Sequence, residues 1–201
     1  IVNMVELDTD VLIIGAGMSG LGLAVQLIRT YGYRDFQIVE KVADVGGTWL
    51  VNTYPGCGCD VASHFYSYSF ELNPEWSQKF SMRSEIQAYF RGVAEKYKIV
   101  PHVTFNTTVE RADWNDAGQY WETTLKNQQT KETYTKRSHI LVSGVGNLSV
   151  PRDCELPGAD KYKGNLFHSA LWDHRFEWKD KDVVVLGNGC SATQFVPVMA
   201  E

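Results

Sequence analysis

The chain has 201 residues, of which 44% are hydrophobic and 21% charged, an ordinary composition for one large or two small globular domains. Its formal net charge of −5 creates a field that attracts neither nucleic acid nor an anionic membrane. Composition and charge therefore argue against both kinds of partner.

Apolar runs and cysteines narrow the class of protein further. No apolar run approaches the roughly 18 residues that a membrane span requires, so we expect a cytoplasmic protein without a membrane partner. Four cysteines in a chain of this length do not predict a disulfide framework. Cys57 and Cys59 have only His64 nearby as a further ligand, so we predict no metal site.

The first predicted unit is a strand, a glycine-rich turn, a helix and a second strand. The continuous apolar run "DVLIIG" (10–15) is typical of a parallel strand buried on both faces. A helix is predicted from the glycine-rich turn to about Tyr31, and the second strand, "FQIVE", ends at Glu40. The turn reads Gly-Ala-Gly-Met-Ser-Gly, the G-x-G-x-x-G fingerprint of a dinucleotide-binding fold.

Each fingerprint glycine has its own predicted role. Gly15 forms the tight turn, Gly17 lets the backbone approach a pyrophosphate, and Gly20 allows the helix to pack closely on the sheet. The phosphates would lie at the amino end of the helix. Glu40, 20 residues after Gly20, would accept hydrogen bonds from ribose hydroxyls. The alternative, a glycine-rich core turn, leaves Glu40 unexplained.

The middle of the chain predicts a helix and then an antiparallel meander. Residues 84–97 place apolar side chains on one helical face, and Ser84 and Gln87 fit a capping box. Three short segments between 103 and 143, "TTVERADW", "QYWETTL" and "ETYTKRS", alternate in polarity and are separated by turn-rich stretches. The run "HILVSGVG" then predicts a return to the parallel sheet.

The end of the chain repeats the opening pattern. Residues 147–181 are irregular, with two prolines and several aromatic residues. "DVVVLGNGCSATQ" (182–194) then predicts a buried strand, a second fingerprint with Gly187 and Gly189, and the start of a helix. Two fingerprints predict two dinucleotides, and hydride exchange between them is the simplest reason to bind both.

The long loop "GGTWLVNTYPGCGCD" (46–60) carries a family signature. It contains Gly-Gly-x-Trp, four residues, Tyr-Pro-Gly, three residues and Asp, a pattern that resembles class B flavoprotein monooxygenases of the Baeyer–Villiger type. A second signature of that family, Phe-x-Gly, three residues, His, three residues and Trp-Asp, is matched by Gly164, His168, Trp172 and Asp173, with Tyr162 in place of Phe.

The resemblance implies an activity and a set of cofactors. In that family NADPH reduces FAD, the reduced flavin adds dioxygen, and the resulting peroxide attacks a ketone to give an ester or lactone. The small-molecule partners would be a ketone and dioxygen. The FAD-binding residues so implied, together with those of the fingerprint, are Gly15, Gly17, Ser19, Gly20, Glu40, Lys41, Gly47, Thr48, Trp49, Asp60, Tyr66 and Val109. Those for NADPH are Gly187, Gly189, Ser191 and Ala192.

Three residues carry predicted roles with alternatives. The resemblance implies that Asp60 is catalytic, because the matching acid in the family holds an arginine beside the flavin; the alternative is a loop-capping Asp. Gly164, His168 and Trp172 would couple the domains. For His168 the alternative is a buried, hydrogen-bonded structural residue, and for Trp172 packing is favoured over chemistry.

The predicted architecture is α/β. Residues 1–146 form a doubly wound Rossmann-like FAD-binding domain with a β-meander insertion, 147–181 an interdomain connection, and 182–201 the beginning of a second Rossmann-like domain, for NADPH. The arginine beside the flavin and the residues that bind the 2′-phosphate of NADPH are not recognisable in this stretch. We therefore expect a longer chain or a partner chain to supply the rest, and the 201 residues alone to lack oxygenase activity.

Two other functions remain open from the sequence. A related flavin monooxygenase could oxidise nitrogen or sulfur, or hydroxylate, but it should lack the complete second signature. A flavin-binding fragment without redox activity could instead act through binding or a non-redox reaction.

Overall fold

The computed structural model describes residues 6–148 and 150–201. Residues 1–5 of the predicted first domain lie outside the described residues, and so does Ser149 of the predicted connection. The chain groups into two compact units: the first runs through Gly47 and continues over Phe90–Asn147, and the second comprises Thr48–Tyr89 and Leu148–Glu201. The predicted three-part division into domains stays a prediction.

Seven strands and four α-helices make up the regular structure of the described residues. In chain order they are β1 (Val11–Ile14), α1 (Met18–Tyr31), β2 (Phe36–Val39), α2 (Thr48–Val51), α3 (Arg83–Lys96), β3 (Val103–Thr104), β4 (Thr107–Asn115), β5 (Tyr120–Asn127), β6 (Thr133–Ser138), β7 (Ile140–Ser143) and α4 (Cys190–Ala200). Single 3-10 turns cover Ser63–Tyr66, Val100–His102, Ala159–Lys161 and Ser169–Leu171.

A parallel sheet forms the centre of the first unit, as predicted. Its strand order is β3-β2-β1-β7, and β1 pairs in parallel with β2 on one side and with β7 on the other. Leu12 and Ile13 of β1 are fully buried, which explains the uninterrupted apolar run. The two-residue strand β3 was not predicted; it pairs in parallel with β2.

Helix α1 has the predicted limits. It begins at Met18, directly after the fingerprint turn, and ends at Tyr31. Gly32 follows in the left-handed conformation, with φ 63°, and its N–H and that of Tyr33 donate to the carbonyls of Ile28 and Leu27. A glycine terminates the helix here because the left-handed conformation strains residues with a Cβ.

The predicted meander is confirmed as the antiparallel sheet β4-β5-β6. A bulge interrupts the pairing of β4 with β5 between Val109 and Arg111. Leu125 of β5 is fully buried against Leu12 and Val39 of the parallel sheet. The two sheets of the first unit therefore share one hydrophobic core.

Helix α3 confirms the predicted apolar stripe but not the predicted cap. Ile86 and Phe90 are fully buried and Val93 nearly so. The helix begins at Arg83 rather than after Ser84, so Ser84 lies inside the first turn and does not act as its N-cap. The predicted capping box is wrong because the backbone is already helical at that serine.

The strand predicted at 182–186 is wrong for this chain. These residues form no strand, and Val184 and Leu186 are 83% and 60% exposed. A strand needs a neighbour to satisfy its backbone groups, and no described strand pairs with this segment. The helix predicted after it is present as α4.

Candidate functional site

The first fingerprint adopts a conformation that only glycine can occupy. Gly15 has φ 99°, and a Cβ at this position would lie 2.6 Å from the carbonyl oxygen of Gly144. A Cβ at Gly20 would lie 1.9 Å from the carbonyl oxygen of Gly15. The turn at the carboxyl end of β1 is therefore held too tightly for any side chain. Gly144, directly after β7, is a contact that sequence reasoning missed.

The glycine pair of the first signature packs on this fingerprint. Gly46 N–H donates to the Ala16 carbonyl at 3.0 Å. Gly47 has φ 56°, and a Cβ there would lie 2.9 Å from the Cα of Gly17. Within the first unit, Gly47 and Gly17 are thus in contact, as we expect of two residues that are both predicted to bind the cofactor.

The amino end of α1 suits an anion. Its N-cap, Gly17, is extended, with φ −84° and ψ −167°, and the first turn contains no acidic residue. Ser19 is exposed in that turn, whereas Gly20 is buried. The backbone N–H groups and the positive end of the helix dipole would both favour a phosphate at this place.

Glu40 is buried, with 5% of its surface exposed, at the carboxyl end of β2. Its Oε2 accepts the Ala16 N–H at 2.7 Å, and its Oε1 accepts the Val42 N–H at 3.1 Å. The carboxylate therefore braces the fingerprint turn, a role that the sequence did not reveal. Each carboxylate oxygen keeps a second lone pair, so Glu40 can still accept hydrogen bonds from ribose hydroxyls.

The two other candidates of the first unit have less specific surroundings. Lys41 is exposed. Val109 lies in β4, pairs with Leu125 and packs against the core cluster of Leu12, Val39 and Leu125. Its side chain thus contributes to the core, and its predicted contact with FAD stays a prediction.

In the second unit, the loop after Gly47 places Trp49 against Tyr66. Their rings meet edge to face with centroids 4.9 Å apart. Thr48 is exposed at the start of α2, the short helix that carries Trp49. Arg83 Nη1 donates to the carbonyl oxygens of Trp49 at 3.2 Å and of Leu50 at 3.4 Å. Arg83 belongs to no motif, and sequence reasoning missed it.

Asp60 and Tyr66 lie in one loop, three residues before and three residues after the buried Ser63. Asp60 is exposed, and burial, followed by the charge of Asp60, raises the pKa of Tyr66. Among the residues that the structure describes, no arginine or lysine forms an ion pair with Asp60. Its predicted catalytic role stays a prediction.

A buried hydroxyl network fixes the loop between Asp60 and Tyr66. Ser63 and Ser81 are fully buried. The Ser63 hydroxyl has three acceptors within 2.9–3.0 Å: the carbonyl oxygens of Gln78 and Lys79 and the hydroxyl oxygen of Ser81. Its oxygen in turn accepts the Ser81 N–H at 2.8 Å. This network anchors the loop that carries both candidates, and no sequence motif announced it.

The second fingerprint repeats the backbone of the first. Gly187 has φ 108°, close to Gly15, and Gly189 is extended, with φ −74° and ψ −179°, close to Gly17. Helix α4 begins at Cys190, again directly after the second glycine, and has no acidic residue in its first turn. Gly187 and Gly189 are exposed, and Ser191 and Ala192 are half-buried. The turn is thus preformed without a paired strand before it.

The second signature splits between exposed and packed residues. Gly164 and His168 are exposed, and His168 Nδ1 accepts the Ala170 N–H at 3.1 Å. The alternative of a buried structural histidine is therefore wrong, because this imidazole caps a 3-10 turn at the surface. Trp172 packs on Phe195 of α4, with centroids 5.4 Å apart.

The cysteines of the first signature are buried and free. Burial raises the pKa of the Cys57 thiol. Over residues 6–148 and 150–201, no group of three or more His, Cys, Asp or Glu side chains is arranged to hold a metal ion. Over the same residues, no helix has the length and apolar character needed to cross a membrane.

Comparison with known proteins agrees with this geometry. The family model described as "Flavin-binding monooxygenase-like" matches residues 8–200. The chain belongs to the flavin-binding monooxygenase-like family. Among curated members, a Baeyer–Villiger monooxygenase of Pseudomonas aeruginosa is 47% identical over 187 residues, which are 93% of this chain and 34% of that protein. The FAD-binding monooxygenase ktnD of Aspergillus niger is 41% identical over 95% of this chain and 32% of its own length.

Solved structures of family members have the same fold. OTEMO in complex with FAD and NADP superimposes with a TM-score of 0.85 at 32% identity, over 98% of this chain and 37% of that one. Cyclohexanone monooxygenase from Rhodococcus sp. Phi1 bound to NADP+ gives a TM-score of 0.82 at 30% identity, over 96% of this chain and 36% of that one. The α/β fold class and the resemblance to Baeyer–Villiger monooxygenases are thus confirmed. The chain spans about a third of the length of these relatives.

Proposed function

We propose that the chain is part of an FAD-dependent monooxygenase that uses NADPH and dioxygen to insert one oxygen atom next to a ketone carbonyl, giving an ester or lactone. The observation that carries this proposal is the fingerprint turn packed against the Gly46–Gly47 pair of the first signature. Relatives at up to 47% identity named as Baeyer–Villiger monooxygenases support the reaction class.

The residues of the first unit fit the dinucleotide portion of FAD. The amino end of α1 carries no acid that would repel a phosphate, and no side chain could fill the turn at Gly15 and Gly20 without a clash. The buried carboxylate of Glu40 stands at the end of β2, the place from which an acid binds ribose hydroxyls in such folds. The acid-free amino end of α1 favours a bound dinucleotide, whereas Glu40 fits both a dinucleotide and a structural turn, since its carboxylate also braces the turn.

Four of the residues that the resemblance implies for FAD, Thr48, Trp49, Asp60 and Tyr66, lie in the second unit. Bound FAD would supply the redox chemistry, by accepting hydride from NADPH and activating dioxygen. Trp49 would exclude water from the reacting face, because its ring packs edge to face on Tyr66 and Arg83 donates a hydrogen bond to its carbonyl. Asp60, exposed and negatively charged, would orient a cation supplied by the rest of the enzyme.

NADPH would bind at the second fingerprint. The turn at Gly187 and Gly189 is open, since no atom lies within 4 Å of a Cβ built on either glycine. The first turn of α4 has no acidic residue, so its amide groups and helix dipole would favour the pyrophosphate. Ser191 would donate its hydroxyl to a phosphate oxygen.

The test uses the full-length natural protein. We expect it to copurify with FAD, and to consume NADPH faster when a cyclic or aryl ketone is added, with an ester or lactone detected by mass spectrometry. Asp60→Ala should lower ketone-dependent turnover about tenfold or more, because it removes the charge that orients the cation. Asp153→Ala removes another exposed aspartate, outside both signatures, and serves as the control.

The alternatives predict different results in the same assay. Turnover of an amine or sulfide without any ester from ketones would select a nitrogen- or sulfur-oxidising enzyme. A folded protein without flavin absorbance would contradict the proposal altogether. Equal turnover by Asp60→Ala and the wild type would reject only the role of Asp60.

A further inference from the structure

Within the second unit, the side chain of Gln194 is bonded to the loop of the first signature. Tyr54 Oη donates to Gln194 Oε1 at 2.9 Å, and Gln194 Nε2 donates to the Gly58 carbonyl at 2.8 Å. The Gly58 N–H approaches the same Oε1 at 3.4 Å. One side-chain amide therefore bonds the Tyr54 hydroxyl and both backbone groups of Gly58, its N–H and its carbonyl, although Gln194 lies 136 residues further along the chain than Gly58.

The backbones of helix and loop also approach closely. Gly56 has φ 72°, and a Cβ there would lie 2.5 Å from the carbonyl oxygen of Gln194. Tyr54 and Cys57 form a buried cluster with Phe195, the residue after Gln194. The Tyr-Pro-Gly part of the first signature thus receives a physical explanation in this unit. Tyr54 packs against α4 and bonds to it, and Gly56 leaves room for the helix backbone.

The contact lies next to the second fingerprint. Gln194 is the fifth residue of α4, one turn beyond the amides at its amino end. Ser191, a predicted NADPH-binding residue, lies in the first turn of the same helix, three residues before Gln194. Burial raises the pKa of Tyr54 to about 12, so its hydroxyl stays protonated at neutral pH and keeps its role as donor.

On the loop side, the contact lies next to Asp60. Gly58 is two residues before it, and Cys59 N–H donates to the Ser81 carbonyl at 3.0 Å. A small displacement of the amino end of α4 would therefore act directly on the Gly58 peptide. The same peptide leads into the segment that the buried serines hold.

We propose that Tyr54 and Gln194 are positioning residues that couple the second dinucleotide site to the first-signature loop. A pyrophosphate at the amino end of α4 fixes the first turn of that helix. The amide of Gln194 transmits this restraint to the Gly58 peptide and hence to Asp60. Conversely, an ordered loop holds α4 ready for the dinucleotide. This inference rests on the proposed function.

Binding of NADP+ to the FAD-loaded, full-length protein tests the coupling. We expect Tyr54→Phe, which removes one hydroxyl group, to raise the Kd for NADP+ about 3- to 10-fold, the effect of one lost hydrogen bond. Gln194→Met should raise it at least as much. The double variant should have the same Kd for NADP+ as Gln194→Met alone, because both changes break the same connection.

Controls and a second readout separate coupling from a general loss of structure. Tyr31→Phe and Gln129→Met remove the same groups at exposed positions and should leave the Kd unchanged. The FAD content of Tyr54→Phe and Gln194→Met should stay at the wild-type value. A purely structural role would lower FAD content and NADP+ affinity together.

Each outcome decides between the proposals. An unchanged Kd in Tyr54→Phe, in a protein whose wild type binds NADP+, would overturn the coupling and leave the proposed function intact. Additive effects in the double variant would overturn it as well. If Gln194→Met does not fold, Tyr54→Phe decides alone. A wild-type protein that binds neither FAD nor NADP+ would overturn the proposed function and this inference together.

Discussion

Arg83 lies outside every motif of the sequence, yet its guanidinium holds the turn that carries Trp49. It donates to two successive carbonyls at the end of α2, Trp49 and Leu50, which a four-residue helix cannot satisfy internally. The charge of Arg83 also opposes the rise that burial causes in the pKa of Cys57. One cation thus bonds two carbonyls of the first-signature loop and acts electrostatically on a third residue, Cys57.

Replacing Arg83 by Met should loosen this turn. Met keeps much of the aliphatic length but leaves both carbonyls without their donor. We expect the free energy of unfolding to fall by about 1–2 kcal/mol, measured by urea denaturation, because these hydrogen bonds come from a charged group. Arg152→Met, at an exposed position, is the matched control. Equal stability of the two variants would show that the carbonyls find water instead.

The carboxylate of Asp10, directly before β1, accepts hydrogen bonds from two side chains. It accepts the Tyr33 hydroxyl and contacts His139 Nδ1 at 2.6 Å. These hydrogen bonds, that of Tyr33 first, lower the pKa of Asp10. In return, the hydrogen bond to Asp10 raises the pKa of Tyr33 to about 12. The ionised carboxylate is therefore favoured by the folded state.

The stability of the protein should depend on this carboxylate in acid. Because its pKa is lower in the folded state, its contribution is present above the unfolded value, about 3.9, and is lost as the pH falls through the folded one. Asp10→Asn should lose less stability than the wild type between about pH 5 and pH 3. Chemical denaturation at a series of pH values measures this. Asp153→Asn should retain the acid sensitivity of the wild type.

At the scale of the elements, glycine has opposite consequences in two helices. Gly20 in α1 has no room for a Cβ, since the Gly15 carbonyl would lie 1.9 Å away. Gly92 in α3 has no atom within 4 Å of the same position. The first glycine serves the contact of helix and turn, whereas the second only weakens its helix.

Alanine substitution should separate these two glycines. Gly20→Ala should lower the free energy of unfolding by about 3 kcal/mol or more, because backbone must move to admit the methyl group. Gly92→Ala should raise it by about 0.5–1 kcal/mol, through helix propensity alone. Thermal or urea denaturation of both variants measures the difference. A stable Gly20→Ala protein would contradict the tight fingerprint turn.

The two predicted strands before the fingerprints show what an element needs besides its sequence. "DVLIIG" and "DVVVLG" are nearly equivalent as patterns. The first forms β1, with a parallel neighbour on each side, and Leu12 and Ile13 are completely buried. The second forms no strand, and Val184 is 83% exposed. Strand formation depends on hydrogen-bonded neighbours, which are distant in sequence.

For the whole molecule, prediction succeeded where the determinants are local. The limits of α1 follow from a fingerprint turn before it and Gly32 after it, and the meander follows from alternating segments between turns. Gly15, Gly20 and Gly187 could be assigned because a left-handed or crowded backbone selects glycine almost regardless of context. Gly47 came from the family resemblance instead, and Gly144, which belongs to no motif of the sequence analysis, was not found.

The candidate site also contains residues that no local pattern could reveal. Ser63 and Ser81, Arg83 and Gln194 are ordinary polar residues in the sequence, and each matters through a partner that folding brings to it. Glu40 was predicted as a ligand of ribose, but its bonds to the Ala16 and Val42 amides appear only in three dimensions. The choice of partner depends on distances that sequence does not encode locally.

The sequence by itself determined the α/β class, both glycine turns and the flavin monooxygenase family, because each rests on backbone constraints or on residues at fixed spacing. Only the tertiary structure decided that His168 is exposed, that residues 182–186 form no strand, and that Gln194 bonds the first-signature loop. The physical reason is the same in each case. Burial, strand pairing and side-chain hydrogen bonds are completed by groups far away in the chain, and no local pattern specifies them.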